Sequence, residues 1–225
     1  MKEINQFLNE YAIRLEENKI EKLHRYLEYL VTAPMNLTSV KEYHEALHKH
    51  IADVLIPVQS LQGEILDIGT GGGVPGVVLA IAFCVNVTLV ESVRKKVLWL
   101  QDILQKLQIE NTRVICSRAE DLPRQLKESF DVVTARAVAQ MRILLELCAP
   151  FCKIGGRLLL YKGPNWEEEY AVSRNAMQIL GVRLQDVVEY SLKTGEKRIF
   201  LVFNKVEKTP EIFPRKAGTI LKKPL

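Results

Sequence analysis

The spacing of apolar residues divides the chain into an amino-terminal helical region and a longer region in which strands and helices alternate. Over residues 3–31, apolar side chains recur every three or four positions, as on one face of an amphipathic helix, and Pro34 ends this pattern. A second amphipathic helix is predicted over residues 41–56. We therefore predict a helical cap over residues 1–62, too short to count as an independent domain, packed on one α/β domain.

The period of the pattern changes after residue 63, where short β-rich runs alternate with helical segments. The strands are predicted at Glu64–Ile68, Val85–Val90, Thr112–Cys116, Asp131–Thr134 and Arg157–Tyr161. The helices are predicted near residues 75–83, 92–108 (with Ser92 as its N-cap), 119–127, 140–149 and 166–180. This alternation indicates a parallel sheet with helices on both faces.

The end of the chain predicts an antiparallel edge to this sheet. The runs at residues 183–190 and 198–205, joined by the turn KTGE, are typical of an antiparallel strand pair. The predicted fold class is α/β, a Rossmann-like doubly wound sheet over residues 63–207, mostly parallel with an antiparallel C-terminal strand. Residues 208–225 are predicted to form a basic tail.

Composition and charge narrow the class of protein. Of the 225 residues, 48% are hydrophobic and 26% are charged, a balance typical of soluble globular domains. No apolar run approaches the roughly 18–20 residues that span a bilayer, and the amino terminus is too charged for a signal peptide. We expect a cytoplasmic protein with no membrane partner. The formal net charge of +4 is compatible with a nucleic-acid partner without requiring one.

The cysteines and histidines do not predict a metal site. The chain has no C-x-x-C pair, and its cysteines lie in apolar runs, as buried thiols do in a reducing compartment. They are Cys84, Cys116, Cys148 and Cys152. His44 and His48 share a helical face, but a zinc site needs more ligands than these.

A glycine-rich segment, EILDIGTGGGVPG at residues 64–76, begins with the first predicted strand and continues past its carboxyl end. Ligands of doubly wound sheets bind at this edge, where backbone N–H groups and a helix start are exposed. A P-loop needs a Lys after the glycines, and none follows here, which nearly excludes a triphosphate. A dinucleotide stays open, because the segment from Gly71 to Gly76 matches G-x-G-x-x-G and Glu91 ends the next strand.

Acidic residues at three successive strand ends favour S-adenosylmethionine over a dinucleotide. Read from Asp67, the loop has glycine at every second position, which lets the backbone close around an amino acid and a ribose. Asp67 can face the ammonium group, and Glu91 can accept from both ribose hydroxyls. Ala119 and Glu120 lie where adenine would sit. A dehydrogenase explains only Glu91, and its substrate domain would have to fit into the short chain after Phe151.

Further segments resemble one known family, RsmG (GidB), the bacterial 16S rRNA guanine-N7 methyltransferases. In chain order these are NLTSV, HIADVL, DIGTGGGVPG, LVESVRKKVLWL, SRAED, FDVVTARAVA, LLLYKG and the tail FPRKAGTILKKPL. The resemblance covers the chain from about Met35 to its end. It implies a class I methyltransferase dependent on S-adenosylmethionine, which methylates N7 of one guanine, position 527 in the 530 loop of 16S rRNA.

The residue pattern and the resemblance together give a set of predicted cofactor-binding residues. They are Asp67, Gly69, Thr70, Gly71, Gly73, Val74, Glu91, Ser92, Ala119, Glu120 and Arg136. Many members of the family have Asp where this chain has Glu91, which conserves the carboxylate. His50 and Asp53 match an H-x-x-D stretch of the family, and the resemblance leaves open whether they face the pocket or serve the structure.

The proposed reaction needs positioning more than acid–base chemistry. Guanine N7 carries a free lone pair and no proton at neutral pH, so its attack on a sulfonium methyl requires no general base. We therefore predict no catalytic acid or base. Arg136 is predicted to position the reactants by holding the cofactor carboxylate, the O6 edge of the base or a phosphate.

Basic residues near the ligand edge and in the tail are predicted to contact RNA phosphates. They are Lys95, Lys96, Lys162, Arg198, Arg215 and Lys216. The expected partner is 16S rRNA or the 30S subunit, and the sequence does not decide between them. We expect a monomer.

Overall fold

The computed structural model describes residues 1–136 and 139–225. Ala137 and Val138, which belong to the segment FDVVTARAVA, lie outside the described residues. Strands of the described chain form one sheet with the order β3-β2-β1-β4-β5-β7-β6. They are β1 (Glu64–Ile68), β2 (Asn86–Glu91), β3 (Thr112–Cys116), β4 (Phe130–Arg136), β5 (Cys152–Lys162), β6 (Val182–Ser191) and β7 (Lys197–Lys205).

The pairing of the strands confirms the predicted fold class. Strands β1 to β5 are parallel to their neighbours within this group, and β7 is antiparallel to both β5 and β6. The order reverses at β1, since β2 lies on one side of it and β4 on the other. In sheets of this kind a crevice opens outside the carboxyl ends of the strands at the reversal, and ligands bind there.

The helices of the described chain surround this sheet. They are α1 (Lys2–Glu10), α2 (Glu17–Val31), α3 (Tyr43–Ala46), α4 (Asp53–Leu55), α5 (Gly76–Phe83), α6 (Arg94–Lys106), α7 (Met141–Cys148), α8 (Trp166–Val172), α9 (Arg174–Leu180) and α10 (Ala217–Lys222). A π-helical segment, Leu47–Ala52, joins α3 to α4. Short 3₁₀ turns occur at Ala119–Asp121, Arg124–Leu126 and Ala149–Phe151.

Two predicted helices are interrupted, and a third is absent. The helix predicted over 3–31 breaks after α1, where Ala12 adopts φ +55° and the Ile13 N–H bonds back to the Leu8 carbonyl. Residues 119–127 form two 3₁₀ turns, because Pro123 restricts the residue before it to extended backbone. The helix predicted over 166–180 is divided at Ser173.

The start of α6 also differs from its prediction. Ser92 is not the N-cap, because the helix begins at Arg94 with Val93 in the cap position. The Val93 N–H donates to Glu91 Oε1 at 2.8 Å, so the carboxylate at the end of β2 satisfies a backbone donor that a serine cap would have taken. The position of Glu91 therefore fixes where α6 begins.

The two faces of the sheet carry two hydrophobic clusters. On one face, α2, α5 and α6 pack over sheet residues such as Ile65 and Leu159. On the other face, α7, α9 and the tail residue Phe213 pack over neighbours such as Leu66 and Leu158. Adjacent strand residues thus point to opposite faces, both of them buried, as in an α/β sheet covered on both sides. The amino-terminal cap shares its cluster with the sheet, and the predicted division at residue 62 stays a prediction.

Candidate active site

A cavity of about 230 Å³, open to solvent, lies at the carboxyl ends of β1, β2 and β3. Its lining combines the strand ends, the turn after β3, one face of α7 and one face of α10. The lining residues are Ile68, Gly69, Val90, Glu91, Ser92, Ser117, Arg118, Ala119, Glu120, Ala139, Ile143, Leu147, Ala217, Ile220 and Leu221. The cavity lies at the reversal of strand order, where the fold predicts a ligand.

The structure brings only part of the predicted cofactor set into this lining. The predicted residues that line the cavity are Gly69, Glu91, Ser92, Ala119 and Glu120. The others lie behind or beside it, and they are Asp67, Thr70, Gly71, Gly73, Val74 and Arg136. The geometry of each explains its position, and cofactor contact by any of these residues stays a prediction.

The glycines of the loop differ in how closely other parts of the protein approach them. A Cβ atom at Gly72 would lie 2.5 Å from Leu30 Cδ1, so this glycine permits close packing of the loop on α2. A Cβ atom at Gly73 would lie 3.0 Å from the Tyr26 hydroxyl oxygen. At Gly71, by contrast, the nearest atom would be 4.0 Å away, and φ is +60°. Only part of the glycine run therefore leaves room for a ligand. Gly72 packs on the cap, and Gly73 packs mainly on Val77 of α5 and Leu100 of α6.

Tyr26 connects the cap to this loop directly. Its hydroxyl is buried and donates to the Gly72 carbonyl at 2.8 Å. Val74, the predicted contact after the glycines, packs against the same hydrophobic cluster as Tyr26. The cap thus holds the loop through a buried hydrogen bond and apolar packing.

Asp67, at the carboxyl end of β1, is fully buried beneath the loop. Its Oδ2 accepts from the Thr70 hydroxyl at 2.6 Å and from the Gly76 N–H at 2.9 Å. Its Oδ1 is buried and has no hydrogen-bond partner among the described residues. Burial raises the pKa of this carboxyl to about 6, although the two hydrogen bonds oppose the shift. A buried acceptor of this kind fits a ligand that brings a donor or a positive charge.

Glu91, at the end of β2, joins the loop to the cavity. Its Oε2 accepts from the Gly71 N–H at 3.1 Å, and its Oε1 accepts from the Val93 N–H. The residue is 6% exposed and lines the cavity. A carboxylate has about four acceptor sites, so two backbone bonds leave capacity for the two hydroxyls of a ribose.

Arg136, the last residue of β4, is held by the cap. Its Nη1 donates to the Lys49 carbonyl at 2.6 Å and forms a salt bridge with Asp53 Oδ2 at 3.2 Å. Its Nη2 lies 3.0 Å from His50 Nδ1. The guanidinium is thus fixed from the side of the helical segment that follows α3, which explains the H-x-x-D stretch as a support for Arg136.

The tautomer of His50 follows from these contacts. An arginine only donates, so Nδ1 must accept and Nε2 must carry the proton. The Nε2–H group donates a hydrogen bond to Thr38 Oγ1 at 2.8 Å, and Thr38 belongs to the segment NLTSV. Burial, and next the positive charge of Arg136, lower the pKa of His50 to about 3, so the ring is neutral at pH 7.

Asp53 extends this network to the last two strands. Its Oδ1 accepts from the Tyr190 hydroxyl at 2.8 Å and forms a salt bridge with Arg198 Nε at 3.4 Å. Burial, followed by the negative charge of Asp53, raises the pKa of Tyr190. The network therefore ties β4, the cap and the β6–β7 hairpin together through one buried carboxylate.

The six predicted phosphate contacts fall into two groups. Lys162 forms a salt bridge with Glu169 at 2.6 Å and its side chain is only 9% exposed. Arg198 pairs with Asp53, and Arg215 pairs with the buried Glu146. These three cations already support the fold. Their contact with RNA stays a prediction, and it would require each cation to leave or share its observed ion pair.

The remaining three cations are more accessible. Lys95 is exposed and Lys96 is half-buried, both near the amino end of α6 beside the cavity. The side chain of Lys216 is 82% exposed and forms a salt bridge with Asp121 at 3.0 Å. An exposed pair of this kind contributes little to stability and leaves the lysine available to a phosphate.

Several lining residues were missed from the sequence. Ile143 and Leu147 of α7 are four residues apart, a spacing that predicts core packing and gives no hint of a ligand. Ile220 and Leu221 are apolar residues in a basic tail, and their proximity to the cavity depends on the fold. Arg118 could have been found, because it precedes Ala119 in the segment SRAED.

The residues present fit S-adenosylmethionine. Gly71 leaves open space beside the loop backbone, Glu91 offers carboxylate oxygens at the cavity, and Asp67 holds a buried oxygen without a partner among the described residues. Apolar side chains around Ala119 suit a flat base such as adenine. The arrangement offers acceptors to the ammonium and ribose groups and apolar surface to the adenine.

The fold and the cavity define a class I methyltransferase of the type that depends on S-adenosylmethionine. Solved structures similar to this chain agree with that class. TYW2 of M. jannaschii in complex with AdoMet matches with a TM-score of 0.56 and 15% identity, covering 86% of this chain and 79% of that one. A mutant of the 16S rRNA (adenine(1408)-N(1))-methyltransferase from Catenulisporales acidiphilia matches with a TM-score of 0.54 and 19% identity, covering 68% and 87%. At these identities the similarity establishes the fold alone.

The family follows from sequence comparison. The family model GidB, described as rRNA small subunit methyltransferase G, matches residues 19–200, and the chain belongs to this family. Ribosomal RNA small subunit methyltransferase G of Pseudothermotoga lettingae is 56% identical over 225 residues, covering all of both chains. The protein of the same name from Thermotoga maritima is 44% identical, covering 99% of this chain and 94% of its own. The predicted family, enzyme class and cofactor are confirmed, and an NAD-dependent oxidoreductase finds no support.

No helix in residues 1–136 or 139–225 is long and apolar enough to cross a membrane. Within the same residues, no group of three or more His, Cys, Asp or Glu side chains is placed to hold a metal ion. His48 instead lies 2.7 Å from the Tyr11 hydroxyl, a contact that joins α1 to the helical segment after α3.

Proposed function

We propose that this protein transfers a methyl group from S-adenosylmethionine to N7 of a guanine in 16S rRNA, at position 527 in the 530 loop. The observation that carries the proposal is that Asp67, Glu91 and Glu120 lie at or just after the carboxyl ends of three neighbouring strands; Glu91 and Glu120 line one cavity, and Asp67 is buried beneath the glycine loop. Membership of the GidB family supports small-subunit rRNA as the substrate.

The chemistry asked of the protein is alignment and exclusion of water. The bound cofactor supplies an electrophilic methyl group on a sulfonium. Guanine N7 attacks with its own lone pair, so the chain needs no general base. The ionisable groups near β4 are consistent with this, because His50 is neutral and both of its ring nitrogens are engaged. The buried Cys148 and Cys152 have raised pKa values, which disfavours thiolates as nucleophiles.

Arg136 is proposed to act as a positioning residue at the end of β4. It lies one strand from Asp67, since β1 and β4 pair directly. Its contacts with Asp53, His50 and the Lys49 carbonyl hold the guanidinium in one orientation. A fixed cation suits a cofactor carboxylate, the O6 edge of the base or a phosphate, as the sequence predicts.

The RNA is proposed to approach over the β4–β7 half of the same edge. A second open cavity there is lined by Trp166, Tyr190, Lys197 and Arg198, together with Glu167 and Glu189. Its aromatic rings suit an unstacked base, and Lys197, which is exposed at the start of β7, suits a phosphate. Lys95, Lys96 and Lys216 would add phosphate contacts on the cofactor side. We propose that the protein acts as a monomer in the cytoplasm.

The test is transfer of labelled methyl groups from S-adenosylmethionine to 16S rRNA, with the product mapped by strand cleavage specific for N7-methylguanine. We expect one labelled guanine in the 530 loop. A matched RNA with 7-deazaguanine at that position should accept no label, because it lacks the N7 lone pair. Comparison of naked 16S rRNA with assembled 30S subunits shows which is the substrate. Label on another atom, or on the 7-deaza RNA, would contradict the proposal.

A further inference from the structure

The basic tail, predicted from sequence to serve RNA, lies against the cofactor cavity. After β7 the Val206 N–H bonds to the Gly181 carbonyl at 2.8 Å, and the Thr209 hydroxyl donates to the Leu180 carbonyl at 2.7 Å. Phe213 is then buried on the α7 face of the sheet. These contacts lead the chain across the molecule towards the ends of β1 to β3.

One buried ion pair fixes the tail at α7. The Glu146 carboxylate is fully buried, and Arg215 satisfies it from both its side chain and its backbone. Oε1 accepts from the Arg215 backbone N–H at 3.0 Å and from Nε at 2.8 Å, and Oε2 accepts from Nη2 at 2.6 Å. Because a buried carboxylate without this partner would be strongly unfavourable, the tail is held where it meets α7.

The Arg215–Glu146 pair, which anchors the tail, lies next to residues that line the cavity. Ile143 and Leu147 of α7 line it, and Glu146 follows Ile143 by three positions on the same helix. Beyond Arg215 the chain forms α10, whose residues Ala217, Ile220 and Leu221 line the same cavity. Their spacing of three and four places them on one face of this helix. Ile220 is 2% exposed, so its side chain is packed and not merely nearby.

The apolar character of the α7 and α10 residues that line the cavity indicates which part of the ligand they contact. The α10 residues that line the cavity are apolar, and so are Ile143 and Leu147 of the α7 wall. The glycine loop and Glu91 provide polar groups at the β1 and β2 ends. Of the parts of S-adenosylmethionine, adenine is the large flat group with apolar faces, and Ala119 and Glu120 lie where adenine is predicted.

We propose that residues 217–221 form a wall of the cofactor site that packs on the adenine end, held in place by the Arg215–Glu146 pair. The inference rests on the proposed function for the identity of the cofactor. A helix of six residues is marginal by itself in water, so α10 depends on these contacts for its order. Cofactor binding and order in the tail should therefore support each other.

The test compares Ile220→Ala with Ile212→Ala by calorimetric titration with S-adenosylmethionine and with adenosine, without RNA. Both changes remove the same atoms from the tail, but Ile212 is 72% exposed and lies outside the cavity. We expect Ile220→Ala to raise both dissociation constants by about tenfold and Ile212→Ala to leave both unchanged. A chain ending at Lys216, which keeps the anchor, should lose more. Thermal unfolding without ligand verifies that each variant is folded.

The outcomes separate this inference from the proposed function. If the unmodified protein binds no S-adenosylmethionine, the proposed function fails. If it binds and the shortened chain binds equally well, the wall is wrong, even if RNA binding is lost. If Ile220→Ala weakens S-adenosylmethionine but not adenosine, α10 contacts another part of the cofactor and the adenine assignment is wrong. Equal losses for both ligands support the proposal.

Discussion

The carboxylates at the two halves of the sheet's carboxyl edge have different kinds of partner. In the cofactor half, Asp67 and Glu91 accept only from hydroxyl and backbone N–H groups, and neither forms a salt bridge with a described residue. In the other half, Asp53 pairs with Arg136 and Arg198, and Glu169 similarly pairs with Lys162.

This difference distinguishes carboxylates that can bind a ligand from carboxylates that stabilise the fold. A buried carboxylate that already has a cation is neutralised and holds elements together. One that is satisfied only by neutral donors keeps its charge available, and S-adenosylmethionine brings a positive charge to it. The Arg215–Glu146 pair belongs to the supporting kind although it lies near the cofactor cavity. Substitutions in the first group should therefore lower ligand affinity, and substitutions in the second group should lower stability.

The largest expected effect is on stability, from removal of the partly exposed cation that pairs with the buried Glu146. Arg215→Ala leaves Glu146 charged and unpaired, so the free energy of unfolding should fall by about 3–5 kcal/mol in urea titrations. Lys216→Ala removes an exposed partner of Asp121 and should cost less than about 1 kcal/mol. Equal losses for the two variants would contradict the supporting role of Arg215.

The next effect concerns cofactor affinity. Glu91→Gln should raise the dissociation constant of S-adenosylmethionine by roughly 10–100-fold, because a neutral amide accepts ribose hydroxyls more weakly than a carboxylate. Its free energy of unfolding should also fall by about 1–3 kcal/mol, because the amide has one acceptor oxygen for the two backbone N–H groups that the carboxylate accepts from. Glu169→Gln should lower stability through the poorly exposed Lys162 but leave the cofactor affinity almost unchanged. Calorimetry and urea unfolding measure both quantities, and identical behaviour of the two variants would refute the distinction.

The glycine loop offers a smaller test of the same division. Gly72→Ala forces a methyl group against Leu30 and should cost about 1–3 kcal/mol of stability, with cofactor affinity retained in the folded protein. Gly71→Ala meets open space, so it should cost only about 1–2 kcal/mol for its positive φ while weakening S-adenosylmethionine. If Gly72→Ala instead lowers affinity without lowering stability, its role against the cap is wrong.

The smallest effect is expected at exposed cations. Lys95→Gln and Lys96→Gln should each lower the slope of log K against log salt for 16S rRNA binding by about 0.7–0.9. Lys106→Gln is a matched control on the same helix, at the end distant from the cavity, where Lys106 pairs with Asp102. Slopes unchanged in the first two variants, or lowered equally in the control, would remove them from the proposed RNA surface.

Local sequence predicted the sheet well and indicated which acidic residues follow its strands, while their contacts with a cofactor stay predictions. The bounds of β1 and β3 agree with their predictions, because short apolar runs there end at turns and acids. Asp67, Glu91 and Glu120 could be placed at one edge because parallel strands bring their carboxyl ends together.

Contacts between distant parts of the chain could not be predicted in the same way. Glu146 is a single acid in an apolar helix, which signals a buried partner, but its partner Arg215 is 69 residues away. The lowered pKa of His50 depends first on its burial and then on the charge of Arg136, which is 86 residues away. Ala12, just after the end of α1, adopts a left-handed conformation that is uncommon for alanine, so its sequence position does not predict the break. Each of these features is set by tertiary packing, which a local pattern does not contain.

The cofactor half of the edge differs from the supporting half chiefly because Asp67 keeps its charge available for a cationic ligand. Burial raises its pKa to about 6 from the ordinary 3.8, so the free protein holds part of a proton there at pH 6, and binding a cation should release it. Titration with S-adenosylmethionine at pH 6, in buffers of different ionisation enthalpy, should show release of about half a proton. Asp67→Asn should bind without that release. Binding enthalpies that do not depend on the buffer, or equal release in Asp67→Asn, would contradict the claim.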